Sequence, residues 1–169
     1  MSLQFKKAQT EQDIIQIAAA AEEIWLEHYI TIISKEQIDY MLEQFQSKEA
    51  ITAQIEKEGY DYYLLFDQGV MAGFISIKIE EEIPSLFLSK FYMKKECRGK
   101  GFGKEVMGYL KAICKERKLQ KIWLTVNRDN SNSITIYEKL GFRKIRTQVK
   151  DIGNGFVMDD FVMEREESF

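Results

Sequence analysis

Arg98-Gly99-Lys100-Gly101-Phe102-Gly103-Lys104 reads as a glycine-rich turn that runs straight into a helix. Glycine at every second position lets the backbone take φ > 0 and brings its N–H groups close to a bulky partner with no Cβ between them. Phe102, Val106, Leu110 and Ile113 then recur at helical spacing as far as Lys118. The N-terminus of such a helix has unpaired amides and a partial positive charge, and both favour an anion. Arg98, Lys100 and Lys104 add formal charge. The combination suits a phosphate.

Two other phosphate loops fail on spacing. A Walker loop needs four residues between its glycines and then Lys-Ser/Thr, whereas Gly99 to Gly103 is one short and Glu105 follows Lys104. The dinucleotide fingerprint needs a third glycine where Val106 stands. What remains is Arg-x-x-Gly-x-Gly between a strand and a helix.

Working outward, Ser85 to Lys94 reads as the strand that enters the turn, and Ile122 to Val126 as a short apolar strand buried on both faces. Upstream, Leu3 to Ala8 alternates as a first strand. Thr10 with Asp13 is a capping-box start for a helix with Ile14, Ile17, Ala18, Ala21 and Trp25 on one face, which His28 continues. Ser34 with Gln37 opens a second helix, its inner side Ile38, Met41, Leu42 and Phe45, and Ser47 caps a third that Gly59 stops. Tyr60 to Phe66 and Val70 to Ile79 form an antiparallel hairpin about Asp67-Gln68-Gly69. Downstream lie a helix from Ser131 to Leu140 with Gly141 as its C′ residue, then strands Phe142 to Lys150 and Phe156 to Glu164 joined through Ile152-Gly153-Asn154-Gly155. The order predicts a mixed α/β sheet in a single domain over residues 1–169.

A second motif sits one strand beyond the first: Asn130-x-x-Ser133-x-x-x-Tyr137-x-x-x-Gly141-Phe142. Together, the two at this separation resemble the GNAT superfamily of acyl-CoA-dependent N-acetyltransferases, most clearly over Leu86 to Phe142. That resemblance implies a central, mostly antiparallel mixed sheet of six to seven strands, flanked by helices and splayed at the acetyl-CoA site. It implies that the loop amides of Arg98, Gly99, Lys100, Gly101, Phe102, Gly103 and Lys104 hold the pyrophosphate of acetyl-CoA. Backbone groups of Phe91 and Met93 would meet the pantetheine arm, with Asn130 and Ser133 at the second motif beside it. Tyr137 would protonate the leaving thiolate, a role with chemical sense because aminolysis of a thioester expels a thiolate that a positioned acid can neutralise. The acceptor would be the primary amine of a small molecule, attacking directly in a ternary complex. The ending Gly155 to Met163 is similar to small-amine and polyamine acetyltransferases.

The sequence departs from the family where a base is wanted. Many members place a glutamate in the strand before the loop, and Ser85 to Lys94 contains no carboxylate. Glu27, His28, Asp159, Asp160 or a water chain remain as substitutes. An acyl-CoA-binding sensor without transferase activity, or an enzyme acting on a protein N-terminus or lysine, are the alternative readings. Cys97, beside the loop, would serve only a ping-pong route.

The totals narrow the class. At 169 residues, 45% hydrophobic and 30% charged, the chain fits one ordinary globular domain. A net charge of -3 argues against a nucleic-acid binder, yet Lys90, Lys94, Lys95, Arg98, Lys100 and Lys104 predict a local positive patch. Two cysteines are too few for a disulfide framework, and no metal site is expected. With no run long enough to span a bilayer and no apolar leader, the expectation is a cytoplasmic protein with no membrane partner, and a homodimer is left open.

Overall fold

The computed structural model describes residues 2–167; Met1, Ser168 and Phe169, the ends of the expected 1–169 domain, lie outside the described residues. The elements are β1 (Gln4–Lys7), α1 (Glu11–His28), α2 (Lys35–Phe45), α3 (Lys48–Lys57), β2 (Tyr60–Asp67), β3 (Val70–Glu80), β4 (Ser85–Met93), α4 (Phe102–Arg117), β5 (Lys121–Asn127), α5 (Ser131–Lys139), β6 (Arg143–Gly153) and β7 (Phe156–Glu166). Short 3-10 turns at Tyr29–Thr31 and Lys95–Cys97 were not expected. The seven strands pair in the order β1-β2-β3-β4-β5-β7-β6. β4 and β5 run parallel, whereas β1–β2, β2–β3, β5–β7 and β6–β7 pair antiparallel. This is the mixed sheet that the order of elements predicts, mostly antiparallel as the family resemblance implies.

By contact density the chain forms two compact units, one made of the residues up to Lys78 with Lys90–Phe102, the other of Ile79–Ser89 with the residues from Gly103 onward. In the first unit the helix starts obey their caps. Thr10 Oγ1 accepts from Asp13 N–H at 3.1 Å while Asp13 Oδ2 accepts from Thr10 N–H at 3.2 Å, a reciprocal capping box. Asp13 also accepts from Gln9 N–H and Lys6 Nζ, and the backbone bond from Gln9 leads the causes that bring its carboxyl down to about 2. The buried stripe of α1 is Ile17, Ala20, Ala21, Ile24 and Trp25, while Ile14 and Ala18, expected in it, are half-buried. Ser34 and Ser47 cap α2 and α3 through Gln37 N–H and Ala50 N–H.

Lys90 departs from expectation. It belongs to no surface patch: its ammonium is buried and donates to Phe45 O at 2.6 Å, Tyr62 Oη at 2.5 Å and Gln54 Oε1 at 3.3 Å. Side chains alternate across a strand, so Lys90 faces the side opposite to Phe91 and Ser89. There it takes the place of an apolar core residue.

In the second unit, β5 alternates between buried Ile122, Leu124 and Val126 and half-buried Lys121, Trp123, Thr125 and Asn127. The expected burial on both faces holds for one face only. Trp123 stacks on Phe87 of β4, ring centroids 4.1 Å apart, where the two strands pair over Ser85–Phe87 and Lys121–Trp123. Val106, Met107, Leu110 and Cys114 of α4 join this unit's core, and β6 and β7 form an antiparallel hairpin about Asn154-Gly155.

Candidate functional site

In the first unit, β4 leads through Lys94 and the Lys95–Cys97 turn into Arg98. Lys94 N–H donates to Ala72 O at 2.8 Å, tying the end of β4 to β3. Gly73, beside Ala72, permits this approach, since a Cβ there would lie 2.1 Å from Tyr92 O and 3.0 Å from Met93 Cα. An isolated glycine inside a strand pattern is the sequence signal for such an approach. It went unread.

Gly99 and Gly101 take φ of +76° and +79°, and nothing lies within 4 Å of where their Cβ atoms would be. The turn is open on the side the missing side chains would fill, as a backbone cradle for a diphosphate requires. Gly103 is different: it lies in α4, and a Cβ there would contact Leu140 at 3.5 Å. The expected positive φ at every second residue therefore holds for two glycines, and the third serves helix packing. Phe102 is buried at the start of α4.

The loop's cations are largely engaged. Arg98 Nε donates to Met93 O at 3.0 Å, and its two terminal nitrogens meet the two oxygens of Glu27 at 2.7 and 3.2 Å. Lys94 Nζ lies 3.8 Å from Glu23 and Lys100 Nζ 4.0 Å from Asp67. Arg98 holds the Glu27 carboxyl below the usual carboxylate range, so at neutral pH Glu27 is an ionised partner rather than a proton acceptor. His28 is half-buried with its ring edge-on to Tyr29, 4.9 Å between centroids. Cys97 is buried and its thiol is pushed up by that burial, which disfavours the nucleophilic thiolate a ping-pong route needs.

In the second unit, Asn130 is buried at the start of α5; its N–H donates to Asn127 O at 2.9 Å and its carbonyl accepts from Ile134 N–H at 3.1 Å. Ser133 and Tyr137 are half-buried one turn apart. The Tyr137 ring packs edge-on to Phe142 at 5.7 Å, and its carbonyl accepts Phe142 N–H at 3.0 Å. The spacing of tyrosine, glycine and phenylalanine thus closes the helix end and fixes the phenol's ring. Asp159 is ion-paired with Arg128 at 3.0 Å. Asp160, on β7 opposite Asn127 and Gln148, is buried, and its Oδ1 has no hydrogen-bond partner among the described residues. Burial, then the neighbouring Asp159, raise its carboxyl to about 6.

A mixed sheet whose fourth strand passes through an open two-glycine turn into a helix N-terminus is an arrangement suited to an anionic ligand. The acetyltransferase (GNAT) family model matches residues 18–142, and the chain belongs to that family. It is 28% identical over 170 residues to spermidine N(1)-acetyltransferase of Thermoplasma acidophilum, covering 98% of each chain. Among solved structures it is similar to PaiA N-acetyltransferase from Thermoplasma acidophilum in complex with coenzyme A, at a TM-score of 0.78 and 25% identity over 98% of this chain and 99% of that one. A GCN5-related N-acetyltransferase from Rhodopseudomonas palustris shares the fold at a TM-score of 0.79 and 17% identity, over 98% of this chain and 96% of that one. The protein is an acetyl-CoA-dependent N-acetyltransferase. Among its described residues, no helix is long and apolar enough to cross a membrane.

Proposed function

We propose that the protein acetylates a primary amine of a small molecule of the polyamine class, by direct attack on acetyl-CoA in a ternary complex, and that residues 1–169 act as one N-acetyltransferase domain. The observation that carries this reading is the end-to-end likeness to a spermidine N(1)-acetyltransferase, with 98% of both chains aligned.

The roles follow from the chemistry. Backbone N–H groups of residues 98–104 bind the diphosphate, supported by the positive φ of Gly99 and Gly101 and the open space around them. Backbone groups of Phe91 and Met93 hold the pantetheine arm, with Asn130 and Ser133 contributing from the second motif. As the amine nitrogen bonds to the acyl carbon, negative charge builds on the carbonyl oxygen and then leaves on sulfur, and the Tyr137 hydroxyl gives that sulfur its proton. Of the four candidate bases, Asp160 best fits a proton acceptor. Glu27 and Asp159 are committed to arginines, whereas Asp160 is desolvated and has an oxygen to spare. A desolvated carboxylate titrating near 6 is ionised at neutral pH and still basic enough to share the ammonium proton.

Release of CoA thiol from acetyl-CoA, measured over a panel of polyamines, monoamines and lysine peptides, tests the assignment directly. Polyamines should give the highest kcat/KM, and Tyr137→Phe should lower kcat about 100-fold while leaving CoA affinity within about twofold. CoA binding without thiol release from any amine would favour the sensor reading, which the absence of a carboxylate in β4 supports. Activity confined to peptides would move the acceptor to protein.

A further inference from the structure

Glu27 lies on the last turn of α1, outside both motifs, and is bound through both its oxygens to the first residue of the glycine turn. The same guanidinium donates from Nε to the carbonyl of Met93, so one arginine joins the helix, the end of β4 and the turn. Glu23, one turn earlier on α1, makes a looser ion pair with Lys94 at 3.8 Å. The segment is also held by the bond from Lys94 N–H to Ala72 O, the Lys100–Asp67 pair and the burial of Cys97 and Phe102, none of which fixes the plane of the Arg98 guanidinium. Cys97 N–H donates to Lys94 O and Arg98 N–H to Lys95 O, after which come two glycines at positive φ with open surroundings.

We propose that Glu27 is a positioning residue for the cosubstrate: acting through Arg98, it holds the Met93 carbonyl and the entry to the turn in the conformation whose backbone binds the diphosphate. The proposal rests on the reading of residues 98–104 as the anion-binding loop. A carboxylate so near a polyanion's site is electrostatically adverse, and its place there is accounted for if ordering the loop outweighs the repulsion. A bidentate fork supplies that order, because guanidinium and carboxylate fix each other's plane as a lysine cannot. An arginine occupied in this way positions the loop and leaves the diphosphate to the backbone amides.

The sign of the effect separates this role from its rivals. CoA dissociation constants would be measured calorimetrically for the wild type, Glu27→Gln, Arg98→Lys, the double variant and Gly101→Val, with Tm recorded for each. Glu27→Gln should weaken CoA about tenfold although it removes a negative charge. Arg98→Lys should match it, and the double variant should be no worse than either single one within about twofold. KM for acetyl-CoA should rise in step while kcat at saturation changes little. If Glu27 merely repels the ligand, or merely blocks Arg98 from reaching it, Glu27→Gln binds CoA more tightly and the proposal is overturned. An unchanged constant with a lower Tm would reduce the pair to a stability role and overturn it too. Gly101→Val tells the two layers apart. Lost affinity there with none lost at Glu27 removes only the positioning role, and unchanged affinity at Gly101 removes the loop reading and this inference with it.

Discussion

The Lys90 ammonium sits 2.5 Å from the Tyr62 hydroxyl, buried, and the acceptors it donates to are all neutral. Three N–H donors meet three acceptors, so hydrogen bonding is satisfied, yet the attraction of Glu58 for the charge is smaller than the cost of its burial. Burial brings this lysine down to about 7, and the same cause pushes the Tyr62 phenol above its ordinary value.

A lysine depressed in the folded state adds stability that is complete above its unfolded value of 10.5 and is lost as pH falls through 7. Lys90→Met should remove that dependence. It leaves no acceptor orphaned, since Tyr62 Oη still donates to Gln54 Oε1 and Gln54 Nε2 to Phe45 O. The variant should therefore melt at or above the wild-type temperature at pH 6.5, and the difference should shrink toward pH 10, at about 1.4 kcal/mol per pH unit in the steepest part. Melting curves across that range check it. A variant uniformly less stable at every pH would show that packing, and not the buried charge, dominates at this position.

Gly73 makes the opposite kind of demand, because the obstacle is backbone. Gly73→Ala would press a methyl group to 2.1 Å from Tyr92 O, and neither strand can yield without moving Met93. Overpacking of this kind costs on the order of 2 kcal/mol. Tm should fall and CoA affinity with it. Gly108→Ala in α4, where nothing lies within 4 Å, is the matched control and should gain roughly 0.5 to 1 kcal/mol of stability with CoA affinity unchanged.

Most of the fold was legible because its signals are local. The Ser and Thr caps, the hydrophobic stripes and the Gln68-Gly69 and Asn154-Gly155 turns each act within a few residues, and each stands where the sequence places it. The two motifs were legible for the same reason. Besides the local misreading of Gly103 and the two 3-10 turns, what the sequence hid is long-range. Lys90 reads as one more cation of a basic run until β4 turns it onto Phe45 and Gln54, 45 and 36 residues away. Nothing in the sequence pairs Arg98 with Glu27, which reaches it from a helix 71 residues upstream. Burial of Asp160 depends on the neighbours β5 and β6 supply. Charge in sequence records what a side chain carries, and only the tertiary fold decides what it faces.

The two kinds of glycine in the loop should respond differently to one methyl group. Gly101→Ala forces a left-handed residue to carry a Cβ, which costs about 1 kcal/mol, and obstructs the open side of the turn. Gly103→Ala adds a helix former at a position where the new Cβ would meet Leu140 at an ordinary 3.5 Å, worth about 0.5 to 1 kcal/mol of added stability. Gly101→Ala should raise KM for acetyl-CoA and lower Tm, whereas Gly103→Ala should raise Tm and leave KM unchanged. Equal KM values for both variants and the wild type would show that the diphosphate lies elsewhere.

Asp160 should trade stability for activity. A carboxyl raised from 3.8 to about 6 is a group the fold tolerates best when protonated, so the stability it gives is full below 3.8 and lost as pH rises through 6. Asp160→Asn abolishes the penalty, and at pH 8 it should stabilise the protein by on the order of 2 kcal/mol, a gain that fades below pH 4. A residue kept for packing would improve on that change. If Asp160 takes the ammonium proton, the same variant should lose at least about 100-fold in kcat/KM, and the acid limb of the wild-type pH profile, centred near 6, should disappear from what activity is left. A higher Tm joined to lost turnover is the signature of a strained group retained for chemistry. A higher Tm with full activity and an unchanged profile would clear Asp160 of any part in the proton transfer and leave the role to a water chain or His28.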